Sequence, residues 1–512
     1  MKPFIAAIGL VLITIGGGQP PVAMPAASCE SLTTIGLPHT AVTRAQLVPA
    51  GQFAATPEGV LAPGAPSFRP YNALPDLCRV TATLTPSADS EIKVEVWMPT
   101  SAAWNGKFEA VGNGGWAGQI SLQALAGGVG RGYAVAATDT GHSTPGGSFA
   151  FGHPEKLTDF AHRAVHEMTT VAKALLAAYY GNGPRLSYWN GCSTGGRQGL
   201  MEAQRYPADF DGIIAGAPAA DMTHLLTHSI WVAQAAHRPG ARLSNEQYTR
   251  LHRAVLDACD AHDGVTDGVI EDPTQCGFDP RTIQCEGAVD AAACLTPAQV
   301  EAVRAIYSPA RNPRTGAEIF PGQERGSEMS WAAGLAGTTP LSIATDYWKY
   351  VVFAKPDWDF TTLDFDADVA RADALDRGEM NVREPKLEAF ARRGGKLLLY
   401  HGWNDPLIAP RNTVNYYTAA TRSLGASQAA DSVRLFMMPG AGHCAGGDGP
   451  SNFDQLGVME EWVEQRRAPT QIVATHVNGS AVDRTRPLCP YPQTAAYRGT
   501  GDTNKAENFT CR

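Results

Sequence analysis

This 512-residue chain lacks an apolar run of membrane-spanning length: the amino-terminal one, residues 4–15, falls short of the ~20 residues a bilayer requires. It also lacks a basic excess, with 41 Lys and Arg against 50 Asp and Glu and a net charge of −9, and it has no positive run. That removes the electrostatic footprint of a nucleic-acid binder. None of its ten cysteines sits in a Cys-x-x-Cys pair, so the usual zinc and redox spacings are missing. No internal repeat or low-complexity tract is present, which excludes stacked-repeat architectures.

What is present begins with Lys2, the apolar stretch after it, and small residues at 23–28. This is the pattern of a secretory signal peptide, predicted over residues 1–28, and it implies a secreted or periplasmic protein. Lipid modification of Cys29 is disfavoured, because the apolar run ends too far upstream and Ala26 is a poor fit before it. In an exported chain the ten cysteines read as disulfides. The length exceeds the ~250–300 residues at which a single core stops growing, so two domains are expected.

The chemistry is carried by Gly191-Cys192-Ser193-Thr194-Gly195. Gly-x-Ser-x-Gly is the nucleophile elbow of α/β-hydrolases, in which a serine sits on a strained strand-to-helix turn. Residues 185–189 predict the strand, and the sequence from Thr194 predicts the helix. The expected chain order, Ser then acid then His, is met by later segments. Residues 395–400 read as a buried strand running into Trp403-Asn404-Asp405-Pro406, and Val433–Met438 runs into Pro439-Gly440-Ala441-Gly442-His443. The site is thus expected at the carboxyl ends of strands. Ser193 is the candidate nucleophile, His443 its base, and Asp405 the acid that orients the imidazole. Asp139 precedes the serine and Asp448 follows the histidine, so chain order favours Asp405. His142 and His401, both in strand-end positions, read as structural. The oxyanion hole is expected from the N–H of Thr194 and one N–H of the Gly112-Asn113-Gly114-Gly115 loop, from Gly114 or Gly115. This chemistry requires no organic cofactor.

The gap from Ser193 to Asp405 is longer than a few βα units require, so an inserted lid is placed at 221–394, with the core at 29–220 and 395–512. Trp231, Trp331, Trp348, Trp358, Tyr347, Tyr350 and Phe353 lie in the insertion and are candidate walls of an acyl pocket, as is Ile408 beside Asp405. Further strands are predicted at Lys107–Val111 and 133–138. Helices are predicted within 157–180 and at 453–466. Between Cys259 and Cys276, the carboxylates of Asp260, Asp263 and Asp267 stand among turn-forming glycines. By spacing this is either a calcium loop, though not an EF-hand, or a solvated acidic turn.

The paired Cys192-Ser193 and His443-Cys444, the intervening Asp405, Trp104-Asn105-Gly106-Lys107-Phe108 and the acidic loop together resemble the tannase and feruloyl esterase family across nearly the whole mature chain. That family also includes a mono(2-hydroxyethyl) terephthalate hydrolase. The resemblance implies an α/β-hydrolase core with a large lid and hydrolysis of small esters of hydroxycinnamic or gallic-type aromatic acids. Terephthalate monoesters, or a calcium-stabilised binding module on an inactive scaffold, are the alternatives. It implies a structural Ca²⁺ held by Asp260, Asp263, Asp267 and the backbone carbonyls of Val265 and Val269. With proximity along the chain, it also implies the pairings Cys29–Cys78, Cys192–Cys444, Cys259–Cys276, Cys285–Cys294 and Cys489–Cys511.

Overall fold

The computed structural model describes residues 26–53, 71–286 and 294–512. The predicted signal peptide lies outside the described residues up to position 25. Nine strands form the main sheet: β1 (Thr40–Val48), β2 (Leu77–Leu84), β3 (Ile92–Pro99), β4 (Lys107–Val111), β5 (Ala134–Thr138), β6 (Leu186–Cys192), β7 (Gly212–Gly216), then, after a two-stranded lid hairpin of β8 (Ala310–Arg311) and β9 (Glu318–Phe320), β10 (Lys396–Gly402) and β11 (Val433–Met438). Their spatial order is β1-β2-β3-β5-β4-β6-β7-β10-β11. The first three pair antiparallel, and every pair from β5 to β11 is parallel.

Strands of a parallel sheet covered on both faces are apolar along their whole length. Every residue of β10, Lys-Leu-Leu-Leu-Tyr-His-Gly, is buried. The two-residue strand period then divides its side chains between two cores. Leu397 and Leu399 join the helices Ala164–Tyr180, Thr194–Arg205 and Arg411–Leu424. Leu398 and Tyr400 join the helices Leu122–Val129 and Gln455–Gln465. The helix expected within 157–180 is interrupted: a π-type turn at Asp159–Arg163 separates Pro154–Thr158 from Ala164–Tyr180, which ends at Gly181 with φ 80°. Glycine is the residue that adopts this left-handed end without strain.

Strands β7 and β10 are hydrogen-bonded neighbours, so the chain between them is an insertion into the sheet's connectivity. Local signals build it. The helix Asn245–Cys259 starts from a Ser244–Gln247 capping box and Pro297–Tyr307 from a Thr296–Gln299 box, and the two glutamines then bond each other, Gln247 Nε2 to Gln299 Oε1 at 3.0 Å. Trp331 closes one apolar cluster of the insertion, and Trp348, Trp358 and Tyr347 belong to another that the insertion shares with Trp116, Phe149 and Phe160 of the main domain. From Val382 on, a stretch that the sequence assigns to the lid, Val382, Leu387 and Phe390 pack into the main core.

Five disulfides join Cys29 to Cys78, Cys192 to Cys444, Cys259 to Cys276, Cys285 to Cys294 and Cys489 to Cys511. Among the described residues no helix is long and apolar enough to cross a membrane.

Candidate active site

Strand β6 runs to Cys192, three residues beyond its expected end, and Ser193 follows at φ 63°, ψ −120° before the helix Thr194–Arg205. A non-glycine residue here is strained, and only tight surroundings hold it. Those surroundings are glycine-built. A Cβ on Gly191 would lie 2.6 Å from the Gly195 backbone, and one on Gly196 would lie 2.4 Å from the carbonyl oxygen of Gly216. The motif therefore encodes a close passage of strand, turn and helix that any side chain would block.

The loops after β10 and β11 meet this turn. Asp405 is fully buried, and its Oδ2 accepts a hydrogen bond from His443 Nδ1 at 2.7 Å. Its Oδ1 accepts the backbone N–H groups of Leu407 and Ile408 at 2.8 and 3.0 Å. Burial alone would raise the Asp405 pKa, but His443 and His401 outweigh it and hold the carboxyl well below the usual range. For His443 burial works downward, the Asp405 charge works upward, and the net pKa is raised. Cys192 and Cys444, each beside a candidate residue, are bridged with their Cα atoms 6.0 Å apart.

Ser193 and His443 line one cavity of about 590 Å³ between the strand-end loops and the inserted segment. Its apolar wall comes from Met222, Leu225, Leu226, Leu341, Ile343 and the Leu407–Ile408 pair. Ile408 is where the sequence expected it. The aromatics of the insertion are not: Trp231, Trp331, Trp348, Trp358, Tyr347, Tyr350 and Phe353 are absent from this lining, Trp331 being buried within the insertion and Trp348 and Tyr347 in the cluster it shares with Trp116, Phe149 and Phe160. The wall is aliphatic because one face of the helix Met222–Ala236 points into it, with Met222, Leu225, Leu226 and Ser229 at helical spacing. That i, i+3, i+4, i+7 stripe was the sequence signal for it.

Thr194, Gly114 and Gly115 line the same cavity. The amide of Gly112 is spent on the Asn190 carbonyl and that of Asn113 on Gln198 Oε1, which leaves Gly114 and Gly115 as the loop's candidate donors. The Thr194 hydroxyl donates to the Gly115 carbonyl at 2.7 Å and fixes the loop against the elbow. Asp139 is occupied elsewhere, its Oδ1 accepting the N–H groups of Lys93 and Gly141. His142 stacks on Phe149 at 3.6 Å, and burial depresses its pKa to about 4. His401, read as structural, proves to be a direct partner of Asp405: its Nε2 lies 3.0 Å from Oδ2.

In the acidic loop, Asp260 accepts the N–H groups of Asp267 and Gly268, Asp263 that of Val265, and Asp267 that of Val269. Burial, then the Asp267 carboxylate with a smaller push from Asp260, raises the Asp263 pKa to about 6. Hard oxygen donors that destabilise one another in a half-buried turn suit a divalent cation of calcium type. Arg486 and Arg484 offset part of the charge on Asp267. The three carboxylates do not gather within 4.8 Å of one another, a spacing reached among the described residues by His166, Glu202 and Asp209. An ion here needs backbone carbonyls as well, for which the six to eight oxygens of calcium leave room.

A family model described as tannase and feruloyl esterase matches residues 78–512. An uncharacterized esterase of Xanthomonas campestris pv. campestris is 38% identical over 99% of this chain and 93% of its own length. The crystal structure of feruloyl esterase B from Aspergillus oryzae aligns with a TM-score of 0.88 at 31% identity, covering 94% of this chain and 99% of that one. Tannin acyl hydrolase from Aspergillus niger aligns at a TM-score of 0.77 and 22% identity, covering 96% and 93%, a likeness of fold alone.

Proposed function

This chain belongs to the tannase and feruloyl esterase family and is a carboxylic ester hydrolase, and within that family we propose that it cleaves esters of weakly polar aromatic acids of the hydroxycinnamic type through Ser193, His443 and Asp405. The observation that carries the reading is the single cavity in which the strained Ser193 and the Asp405-bound His443 face an aliphatic chamber. In this reading His443 Nε2 takes the Ser193 proton as Oγ attacks the ester carbonyl. Asp405 holds the Nδ1–H tautomer and stabilises the imidazolium. The Thr194 N–H and one glycine N–H, from Gly114 or Gly115, receive the oxyanion. His443 then protonates the leaving alcohol, and a water activated by the same imidazole releases the acid from Ser193.

The lining argues for this acyl class over the others. Among the described residues no lysine or arginine lines the cavity to meet the free carboxylate of a terephthalate monoester. Away from the reacting groups its polar side chains are Asn113 and Ser229, few for the three phenolic hydroxyls of a galloyl group. The proposal extends to a structural Ca²⁺ at Asp260, Asp263 and Asp267 with the carbonyls of Val265 and Val269. Export is also part of it, supported by five disulfides.

The test is hydrolysis of methyl ferulate, methyl gallate, a terephthalate monoester and a short aliphatic nitrophenyl ester by the wild type and Ser193→Ala. The highest kcat/KM is expected for methyl ferulate, with loss of all turnover in the variant. A preference for the gallate or the terephthalate overturns the acyl assignment, and activity surviving in Ser193→Ala overturns the nucleophile.

A further inference from the structure

Asp405 carries more donors than a triad carboxylate needs to hold one histidine. Its Oδ1 takes the amides of Leu407 and Ile408, and its Oδ2 takes His443 Nδ1 at 2.7 Å and His401 Nε2 at 3.0 Å. Four donors match the roughly four lone-pair sites of an ionised carboxylate. His401 is itself fully buried at the end of β10, and its Nδ1 lies 2.7 Å from the hydroxyl of Thr413 on the helix Arg411–Leu424.

These contacts fix which nitrogen of the second ring donates to Asp405. A lone pair on Nε2 would face a carboxylate oxygen at 3.0 Å, so Nε2 carries a proton, and in the neutral ring Nδ1 accepts from the Thr413 hydroxyl. A relay follows: Thr413 hydroxyl to His401 Nδ1, His401 Nε2–H to Asp405 Oδ2, and His443 Nδ1–H to the same oxygen. His401 does not line the cavity, so it acts only through Asp405.

We propose that His401 is a positioning residue for ester hydrolysis, a second imidazole that locks the rotation of Asp405 and draws on the charge of the oxygen facing His443. The inference rests on the reading of Ser193, His443 and Asp405 given above. Two physical consequences follow. The carboxylate is held in one orientation, so the His443 ring is aimed without a rotational search. The Oδ2 charge is shared between two donors, so the proton that His443 gains during attack stays on the imidazole instead of passing to Asp405. Among the described residues, the ionisable groups facing Asp405 are His443 and His401, and the one facing His443 is Asp405.

The sign of the pH effect follows from this sharing. Without the His401 donor, Oδ2 presents its full charge to His443, the imidazolium becomes more stable, and the acid limb of kcat/KM moves to higher pH. In His401→Leu, kcat should fall on the order of 10- to 100-fold with KM within about twofold, as expected for a lost hydrogen bond to a charged group. The acid limb should rise by roughly half a pH unit or more. His401→Gln, whose amide reaches the Nε2 position, should return kcat to within about fivefold of the wild type and restore the limb. Thr413→Val should shift the limb in the same direction by less, and it carries the test where His401→Leu does not fold.

A folded His401→Leu with an unmoved limb overturns the proposal. So does a loss of kcat shared equally by the Leu and Gln variants without a limb shift, because that is a packing effect. So does an unmoved limb in Thr413→Val when it is the only folded variant. Hydrolysis that survives Ser193→Ala would instead remove the underlying triad reading, so the two failures are separable.

Discussion

Replacing both Cys192 and Cys444 by alanine tests whether the bridge between the two site loops serves geometry or only stability. The bond joins residues 252 apart in sequence, and chain-entropy reasoning assigns about 5 kcal/mol to a loop of that length. The other four bridges span 49, 17, 9 and 22 residues, and none of them ties the elbow to the β11 loop. Stability should therefore drop by several kcal/mol at most, within the ~5–15 kcal/mol of a typical domain. The assay is run well below the new melting temperature. The effect on catalysis has a separate origin. Ser193 sits in a conformation costing ~1–3 kcal/mol, held by its surroundings, and Cys192 and Cys444 bind it to the loop of His443 at a Cα separation of 6.0 Å. Release of that tie lets nucleophile and base drift, and a displacement of about 1 Å costs on the order of 100-fold in rate. The double variant should keep its far-UV circular dichroism and a KM near that of the wild type, because the chamber wall is built mainly by the lid helix and the Leu407–Ile408 loop. Its kcat should fall about 10- to 100-fold. A folded double variant with kcat within twofold of the wild type would show that the bridge does not position the pair.

The raised pKa of His443 places the acid limb of kcat/KM above the ordinary imidazole value of 6.5, since His443 must be neutral to accept the Ser193 proton. Asp405→Asn removes the charge that raises it and leaves the burial that lowers it, so the limb should move to lower pH while kcat drops on the order of 10³- to 10⁴-fold; a limb that rises refutes the assignment. Glu109 is fully buried, and burial raises its pKa from 4.5 to about 7, so the folded state holds a proton that the unfolded chain releases. Its contribution to stability is complete below about pH 4.5 and is lost as pH rises through about 7, so the melting temperature of the wild type should fall more steeply across that window than that of Glu109→Gln. Dialysis against a chelator should lower the melting temperature of the wild type but not of Asp263→Ala, and unchanged calcium content by mass together with an unchanged melting temperature would remove the ion.

The elbow was legible because its information is local. Gly191 is required by the backbone of Gly195 four residues on, so the five letters of the motif carry that approach, while Gly195 faces the loop at Gly112 and Asn113 and Gly196, one residue past the motif, faces the end of β7. Strands β10 and β11 were legible for a related reason, since a parallel strand covered on both faces shows as an apolar run, residues 397–400 in one and 435–438 in the other. The π-type turn at Asp159–Arg163 was not, because one extra residue in a helical turn leaves the apolar spacing almost intact. The aromatic lid residues misled for an energetic reason. Large rings bury the most apolar area per residue, and the insertion uses them to close a core of its own, as Trp331 does, and to pack against the main domain, as Trp348 does in one cluster with Trp116, Phe149 and Phe160. The chamber wall fell to the Met222–Ala236 stripe, which has the pattern of any half-buried helix.

The role of His401 shows where local reading ends. His401 and Asp405 are four residues apart, a spacing that places side chains together on a helix but on a strand would send them to the same face about 13 Å apart. They meet because the chain turns back after Gly402: the Trp403 N–H bonds the Met438 carbonyl, the Asn404 N–H bonds the Ala441 carbonyl, and the Asp405 N–H returns to the Gly402 carbonyl at 3.2 Å. A Cβ at residue 402 would lie 2.3 Å from the Ala441 carbonyl oxygen, so that reversal needs Gly402. The acid is thus placed by backbone bonds to the very loop that carries His443. The carboxylate and the loop of His443 are fixed by that contact, with His401 tied in through Thr413 and the elbow through the Cys192–Cys444 bridge, and damage to the contact should reach orientation before it reaches the fold.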